Sequence, residues 1–346
     1  MAIQASDIGD LITNTINELG RMKFTDISTD IQVHVALPKL LKKNRQMIDS
    51  GPIIQWNLMT GHNNSARGVG LGATDVVDIP DLMIQGQIPW RHVTANYAVE
   101  HHVVDMNRNP AKIVDIVNEQ RFGCLISIAE YFEDRLWRAP PITDTVNFHG
   151  IPMYVVKNNS EGFNGLAAST YTLVGNINPT TNTRWRNYTA QYVAITKDDL
   201  LAKWWRASSY TDWLTAVEGM PTFNTGNDYG FYTNMAAMIA FKQAVEAQNE
   251  NLGYDMDSME GKVMFRRTPV TFVKKLDDDT TNPIYGINWG EFKMVVLQGW
   301  WMRETKIPVQ PGQHTVTSNH VDCTCNLLTR NRRRHFVLAT DTAMPA

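Results

Sequence analysis

The chain has 346 residues, 43% hydrophobic and 19% charged, with a formal net charge of −3. That composition excludes a disordered chain, and the charge excludes a globally basic nucleic-acid binder. Three cysteines exclude a disulfide framework, and no apolar run is long enough to cross a bilayer. The N-terminal MAIQASDIGD lacks the basic start and apolar core of a signal peptide, so a soluble protein made and used inside a cell is expected. Ten tryptophans, with the pairs Trp204-Trp205 and Trp300-Trp301, predict large buried surfaces in a core or between subunits.

In chain order, Ser6 and the spacing of Ile8, Leu11, Ile12 and Ile16 predict a short helix over 6–20. FTDISTDIQVHV reads as extended, and ALPKLLKKNRQMI predicts a second helix over 36–48. The first 50 residues therefore read as an arm of small elements. Residues 53–105 read as strand and loop, punctuated by Pro52, Pro80 and Pro89. The clearest strand puts Val93, Ala95, Tyr97, Val99 and Val103 on one face. Then the period changes: Asn109 as N-cap and Pro110 as first residue open a helix with Ile113, Val117, Cys124, Ile128, Phe132 and Leu136 at helical spacing. About 28 residues give it a length of about 40 Å. Pro140-Pro141 closes it, and residues 145–195 read as mixed strand and loop. Helices follow over about 198–217 and 229–248, then strands over 262–273 and 283–302. The tail reads as two strands around the basic turn RNRRRH. The class is α+β, with mostly non-local strands.

The chemistry candidates are weak. In HNNSARGVGLGATDVVDIPD, Gly68, Gly70 and Gly72 run into an extended, proline-terminated segment. A phosphate-binding loop needs a helix N-terminus there, so a protruding hairpin tip fits better. His101 and His102 are adjacent in a strand and point to opposite faces, one into the core and one out. Cys323 and Cys325 share a strand face but supply only two of the four ligands of a closed zinc site, so they read as core residues. Asp277, Asp278 and Asp279 lack the calcium-loop spacing and read as a solvated turn. There is no GxSxG, no HExxH and no cofactor motif. Arg330, Arg332, Arg333 and Arg334 form the one dense basic cluster, a candidate for non-specific contact with DNA phosphates or for salt bridges.

Several segments, in order, resemble the major capsid proteins of tailed bacteriophages. They are VGNINPTTNTRWRNY (174–188), FYTNMAAMIAFKQAVEAQN (231–249), GKVMFRRTPVTFV followed by NPIYGINWGEFKMVVLQG, and the closing CNLLTRNRRRHFVLAT. The resemblance is one of order and texture across nearly the whole chain. It implies an N-terminal arm (1–50), an extended loop or hairpin (51–91) and a peripheral domain (92–160) whose spine helix is 110–138. It further implies an axial domain (161–314) and a return to the peripheral domain (315–346).

The implied function is structural and non-catalytic. Copies would assemble as pentamers and hexamers into an icosahedral head, a virion component built in the host cytoplasm around double-stranded DNA. The low net charge suits a lining that does not hold the genome tightly. The glycine tip would lie across a neighbouring subunit, and Arg67 would pair there with Glu130, Glu133 or Asp134 of the spine helix. No lysine stands between Lys43 and Lys112, so a lysine of this loop cannot cross-link subunits, as happens in some relatives. The chain begins almost directly with the arm, so a scaffold would be a separate protein, beside a portal and a cementing or decoration protein. No cofactor and no membrane are implied. An encapsulin-like compartment for protein cargo shares the implied fold. A soluble α+β hydrolase is the alternative from another class, marked by a pocket of acids with shifted pKa values.

Overall fold

A computed structural model of the chain describes residues 34–63, 66–72, 81–102, 110–168, 171–212, 228–249, 263–307 and 315–340. The expected helix over 6–20, the extended stretch before His34, Val103 and the Asn109 cap lie outside these residues.

The chain starts with helix α1 (Ala36–Lys43), strand β1 (Arg45–Ile48), the hairpin β2 (Ile53–Met59) and β3 (Met83–Pro89), and strand β4 (Arg91–Glu100). The long helix α2 (Pro110–Leu136) follows, then a single turn α3 (Ile151–Tyr154), β5 (Gly162–Gly165) and β6 (Asn187–Gln191). Next come a π-helical turn (Lys197–Leu201) running into α4 (Ala202–Thr211), then β7 (Tyr229–Thr233), α5 (Met235–Asn249), β8 (Met264–Phe265) and β9 (Thr268–Phe272). The chain closes with β10 (Ile284–Asn288), β11 (Phe292–Leu297), β12 (Arg303–Ile307), β13 (Val316–Thr329) and β14 (Phe336–Ala339).

Two sheets organise these elements. The first runs β1-β11-β13-β12, with β4 also paired to β13, and the second runs β5-β6-β14-β10-β7-β9-β8. The chain passes between them three times: from β4 by way of α2 and α3 to β5, from β10 into β11, and from β13 through the RNRRRH turn into β14. On one face of the first sheet lies α2, whose Cys124, Ile128, Phe132 and Leu136 meet Val321, Cys323, Cys325 and Leu327 in the main core. The i, i+4, i+8, i+12 spacing of those helix residues is what puts them on that face. In β4 the expected alternation holds: Val93 and Tyr97 are buried, Ala95 and Val99 half-buried, and Thr94, Asn96 and Ala98 exposed. On the second sheet, Trp204 of α4 and Phe241 of α5 pack on Phe231, Phe336 and Phe265 in a separate aromatic core.

Three local expectations are corrected. The helix expected over 36–48 stops at Lys43, and Arg45–Ile48 is a strand paired in parallel with Met294–Leu297. A partner some 250 residues away decides that conformation over local helix preference. The helix expected from Tyr229 starts at Met235; Tyr229–Thr233 is instead a strand between β10 and β9, where its aromatic and β-branched side chains are favoured. The strand expected over 262–273 is a hairpin, because Arg266 and Arg267 adopt φ of 48° and 65° and turn the chain.

Helix α1 is tied into the body. Ala36, Leu37 and Leu40 sit in the main core beside α2. The buried Glu133 carboxylate accepts from the Val35, Ala36 and Leu37 N–H groups at 3.0, 2.9 and 2.9 Å and from the Trp137 indole at 2.9 Å. It supplies, from another helix, the anion that the open N–H groups and dipole of α1 favour.

Candidate subunit interface

The β2–β3 hairpin has one face against the first sheet. Ile54 and Ile88 bury on Val295 and Leu328, with Ile48, Trp56 and Trp90 around them. Trp56 acts as a key. A Cβ at Gly86 would come within 2.5 Å of its ring, and one at Gly175, which has φ of 61°, within 2.9 Å. Only glycine allows the indole this close on both sides. The Gln87 N–H donates to the Gly175 carbonyl at 2.9 Å and the Asn326 amide donates to the Pro89 carbonyl at 2.7 Å, which fixes the β3 side of the hairpin to the body.

Beyond Met59 and Met83 the hairpin keeps the Thr60 N–H bond to the Leu82 carbonyl at 3.0 Å and a contact of 3.3 Å between His62 and Arg184. A Cβ added at Gly68, Gly70 or Gly72 would meet nothing within 4 Å. Val69 is 59% exposed and Leu71 fully exposed, an apolar tip held out into solvent. Gly72 has φ of 84°, the left-handed region that glycine adopts without cost. Arg67 is exposed beside it. The next described element after the glycines is the strand β3, not a helix.

The three acids named for Arg67 stand in different surroundings. Glu133 is spent within its own chain on α1 and Trp137. Asp134 lies 2.7 Å from Lys275 and 3.4 Å from Arg138. Glu130 is half-buried on α2.

The basic cluster is built largely into the fold. Arg332 is fully buried and donates to the carbonyls of Tyr154, Trp185, Gly165 and Leu166 at 2.7, 2.9, 3.3 and 2.7 Å, and to Asn187 Oδ1 at 3.2 Å. Burial pulls its pKa down to about 9. Arg334 is buried and bonds Glu291 at 2.8 Å. Arg333 is half-buried, with its guanidinium 4.3 Å from the Phe163 ring centre, and Arg330 is half-buried beside Gln46. Two of the four arginines therefore present no surface to a phosphate. Its acceptors lie on α3, at the end of β5 and just before β6, segments far from the turn in the sequence, so nothing local marked Arg332 as buried.

His335, next in the chain, is also buried. Its Nδ1 takes the Asn288 N–H at 3.2 Å, its Nε2 meets Thr329 Oγ1 at 3.0 Å, and its ring stacks on Phe292. Burial, then Arg334 and Arg332, push its pKa down to about 3. His149 is pushed down to about 4 by burial and by Arg91. His101 and His102 are both exposed, in a helical turn after β4, so neither enters the core; the strand ends at Glu100, one residue before them. Cys323 and Cys325 are both fully buried with their thiol pKa values raised, chiefly by burial. Asp277 caps Met235 N–H at 2.8 Å and Asp278 pairs with Arg138 at 3.2 Å. Asp279, expected in a solvated turn, is instead buried against Lys157 and Thr281. That pair was invisible in the sequence, because 122 residues separate its members. Among the described residues no group of His, Cys, Asp and Glu is placed to hold a metal ion.

No protein-family model matches the sequence, and no curated protein matches it. Solved structures do. The capsid asymmetric unit of cyanophage A-1(L) superposes with a TM-score of 0.62 at 13% identity, over 94% of this chain and 98% of that one. The cyanophage P-SCSP1u capsid gives 0.53 at 12% identity, over 95% and 94%. The holo-SrpI encapsulin complex of Synechococcus elongatus PCC 7942 gives 0.51 at 14% identity, over 100% and 99%. Over nearly its whole length the chain has the fold of these tailed-phage capsid proteins, which the encapsulin shares.

Proposed function

We propose that the chain is the structural subunit of a phage head: a major capsid protein, without catalytic activity, that assembles as pentamers and hexamers into an icosahedral shell around double-stranded DNA. The observation that carries this reading is the hairpin tip. Val69 and Leu71, set between open glycines, stand exposed beyond a hairpin base keyed by Trp56. Exposed apolar surface of that kind marks a contact made with another molecule. A tip that lands on a different surface of the next copy makes a head-to-tail contact, and such contacts close into rings where the rotation between copies closes. The fold match to a phage capsid over nearly the full chain supports the same reading.

Arg67 of the tip is proposed to meet Glu130 or Asp134 on the long helix of a neighbour; Glu133 is committed to α1. DNA contact, if made by the RNRRRH turn, falls to Arg330 and Arg333 and is non-specific. Scaffold, portal and cementing proteins are proposed as separate partners, with assembly in the host cytoplasm. The encapsulin likeness supports a second reading, a compartment for protein cargo. Expression followed by sedimentation and negative-stain microscopy tests the proposal. Shells or rings are expected, and DNA or protein inside them separates the two readings. A chain that stays monomeric at high concentration, with a candidate scaffold added, overturns both.

A further inference from the structure

Strand edges decide where sheets can grow. A free edge offers a row of unpaired N–H and C=O groups, and proteins guard such edges with charge, proline, bulges or brevity. Most edges here are guarded. β12 carries Arg303, Glu304 and Lys306 in five residues. β1 has four residues and β8 two. β5 pairs through a register shift. β3 is fixed to the body through Gln87 and Pro89.

Two edges are not guarded. β4 pairs with β13 over ten consecutive positions without a bulge, and between Arg91 and Glu100 it has no Lys, Arg, Asp, Glu or Pro. The His101 N–H donates to the Thr315 carbonyl at 2.7 Å, one step beyond the last register pair. Antiparallel pairs alternate between bonded and non-bonded, so the odd residues of β4 bond to β13. The backbone groups of His92, Thr94, Asn96, Ala98 and Glu100 therefore point away from it. They have no backbone partner among the described residues, and the side chains of the first four are exposed.

β2, IIQWNLM, has neither a charge nor a proline. The Thr60 N–H donates to the Leu82 carbonyl at 3.0 Å, so the even residues of β2 bond to β3. Ile53, Gln55, Asn57 and Met59 present the outward row, also without a backbone partner among the described residues.

We propose that β2 of one copy pairs with the free edge of β4 in a neighbouring copy, so that the hairpin of one subunit continues the first sheet of the next. The inference rests on the shell reading, which supplies the neighbour, and adds to it a strand-to-strand joint. Both edges are neutral and regular, and of similar length. They belong to one chain yet do not pair within it, because the hairpin lies on the face of its own sheet through Ile54 and Ile88. Main-chain bonding supplies the affinity in such a joint, and the alternate side chains supply the register.

Hydrogen exchange followed by mass spectrometry, on the unassembled chain and on assembled particles, tests the joint. The amides of Val93, Ala95 and Tyr97 serve as controls, protected in both. Those of Thr94, Asn96 and Ala98 in β4, and of Gln55 and Asn57 in β2, are expected to slow by about a hundredfold or more on assembly. Particles in which these amides exchange as fast as in the free chain overturn the joint and leave the shell reading standing. Protection of β4 without β2 overturns β2 as the occupant. A chain that never assembles overturns both inferences. Charge variants give an independent check. Thr94→Lys with Asn96→Lys, or Gln55→Glu with Asn57→Glu, is expected to cut particle yield at least tenfold while thermal melting of the free chain is kept. The two sets combined are expected to restore yield, and no recovery counts against the joint.

Discussion

Replacing Arg332 by methionine keeps most of the side-chain volume and removes the guanidinium. Four backbone carbonyls then lose a donor: Tyr154, Trp185, Gly165 and Leu166. Asn187 Oδ1 keeps the Val156 N–H at 3.1 Å and is not orphaned. An unsatisfied buried acceptor costs about 1–2 kcal/mol, so the four together cost about 4–8 kcal/mol. Against this, the variant no longer holds a charge out of water, which recovers a few kcal/mol. The orphaned carbonyls win, because the native guanidinium is already solvated by five acceptors. The net loss is about 3–5 kcal/mol, which lowers the melting temperature by roughly 4–7 °C in a chain of this size. The assay is thermal or urea unfolding of the unassembled chain, followed by tryptophan fluorescence. Arg332→Lys retains the charge but not the planar fork and falls between the two. A methionine variant within about 1 kcal/mol of the parent would refute the view that this arginine holds the Tyr154, Gly165–Leu166 and Trp185 segments together.

Four further outcomes are expected from the structure. His335 and His149 have folded pKa values near 3 and 4, against 6.5 in an open chain, so the unfolded state takes up their protons first as pH falls. Stability contributed above pH 6.5 is lost downward through that window, by about 4 kcal/mol for the two at pH 5, and His335→Asn is expected to halve the slope of unfolding free energy against pH. Gly86→Ala drives a methyl into the Trp56 ring and costs about 1–3 kcal/mol by unfolding, but little in a Trp56→Ala background, where the obstruction is gone. Replacing Arg266-Arg267 by Asn-Gly relieves two left-handed arginines and stabilises by about 1 kcal/mol, after the loss of the Arg266 contact 4.8 Å over Trp205. Arg67→Ala is expected to lower the melting temperature of assembled particles while leaving the free chain unchanged, and particles of unchanged melting would remove Arg67 from the contact.

What could be read from the sequence divides along the reach of the interactions. The long helix was legible because Cys124, Ile128, Phe132 and Leu136 repeat at a period only a helix turns into one face. β4 was legible for the same reason at period two. Arg45–Ile48 and Tyr229–Thr233 were read as helix because their neighbours, LPKLLKK and NMAAMIA, are strong helix formers; both became strands through partners far along the chain. The glycine tip was recognisable as a loop that does not cradle phosphate, since the sequence beyond it, ATDVVDIP, reads as extended and ends in proline. Its Trp56 key was not, because Gly86 and Gly175 come next to that ring only in the folded hairpin. The arginine cluster misled in another way. Charge in a sequence reads as surface, yet Arg332 is buried against four converging carbonyls and Arg334 against Glu291.

Cryo-electron microscopy of the particles formed by the purified chain tests the central claim most directly. Closed shells of pentamers and hexamers are expected, in which the hairpin of each subunit, with Val69 and Leu71 at its tip, lies across the long helix of the next. A compact oligomer whose hairpin contacts only its own subunit, or a monomer with no regular assembly, would contradict it.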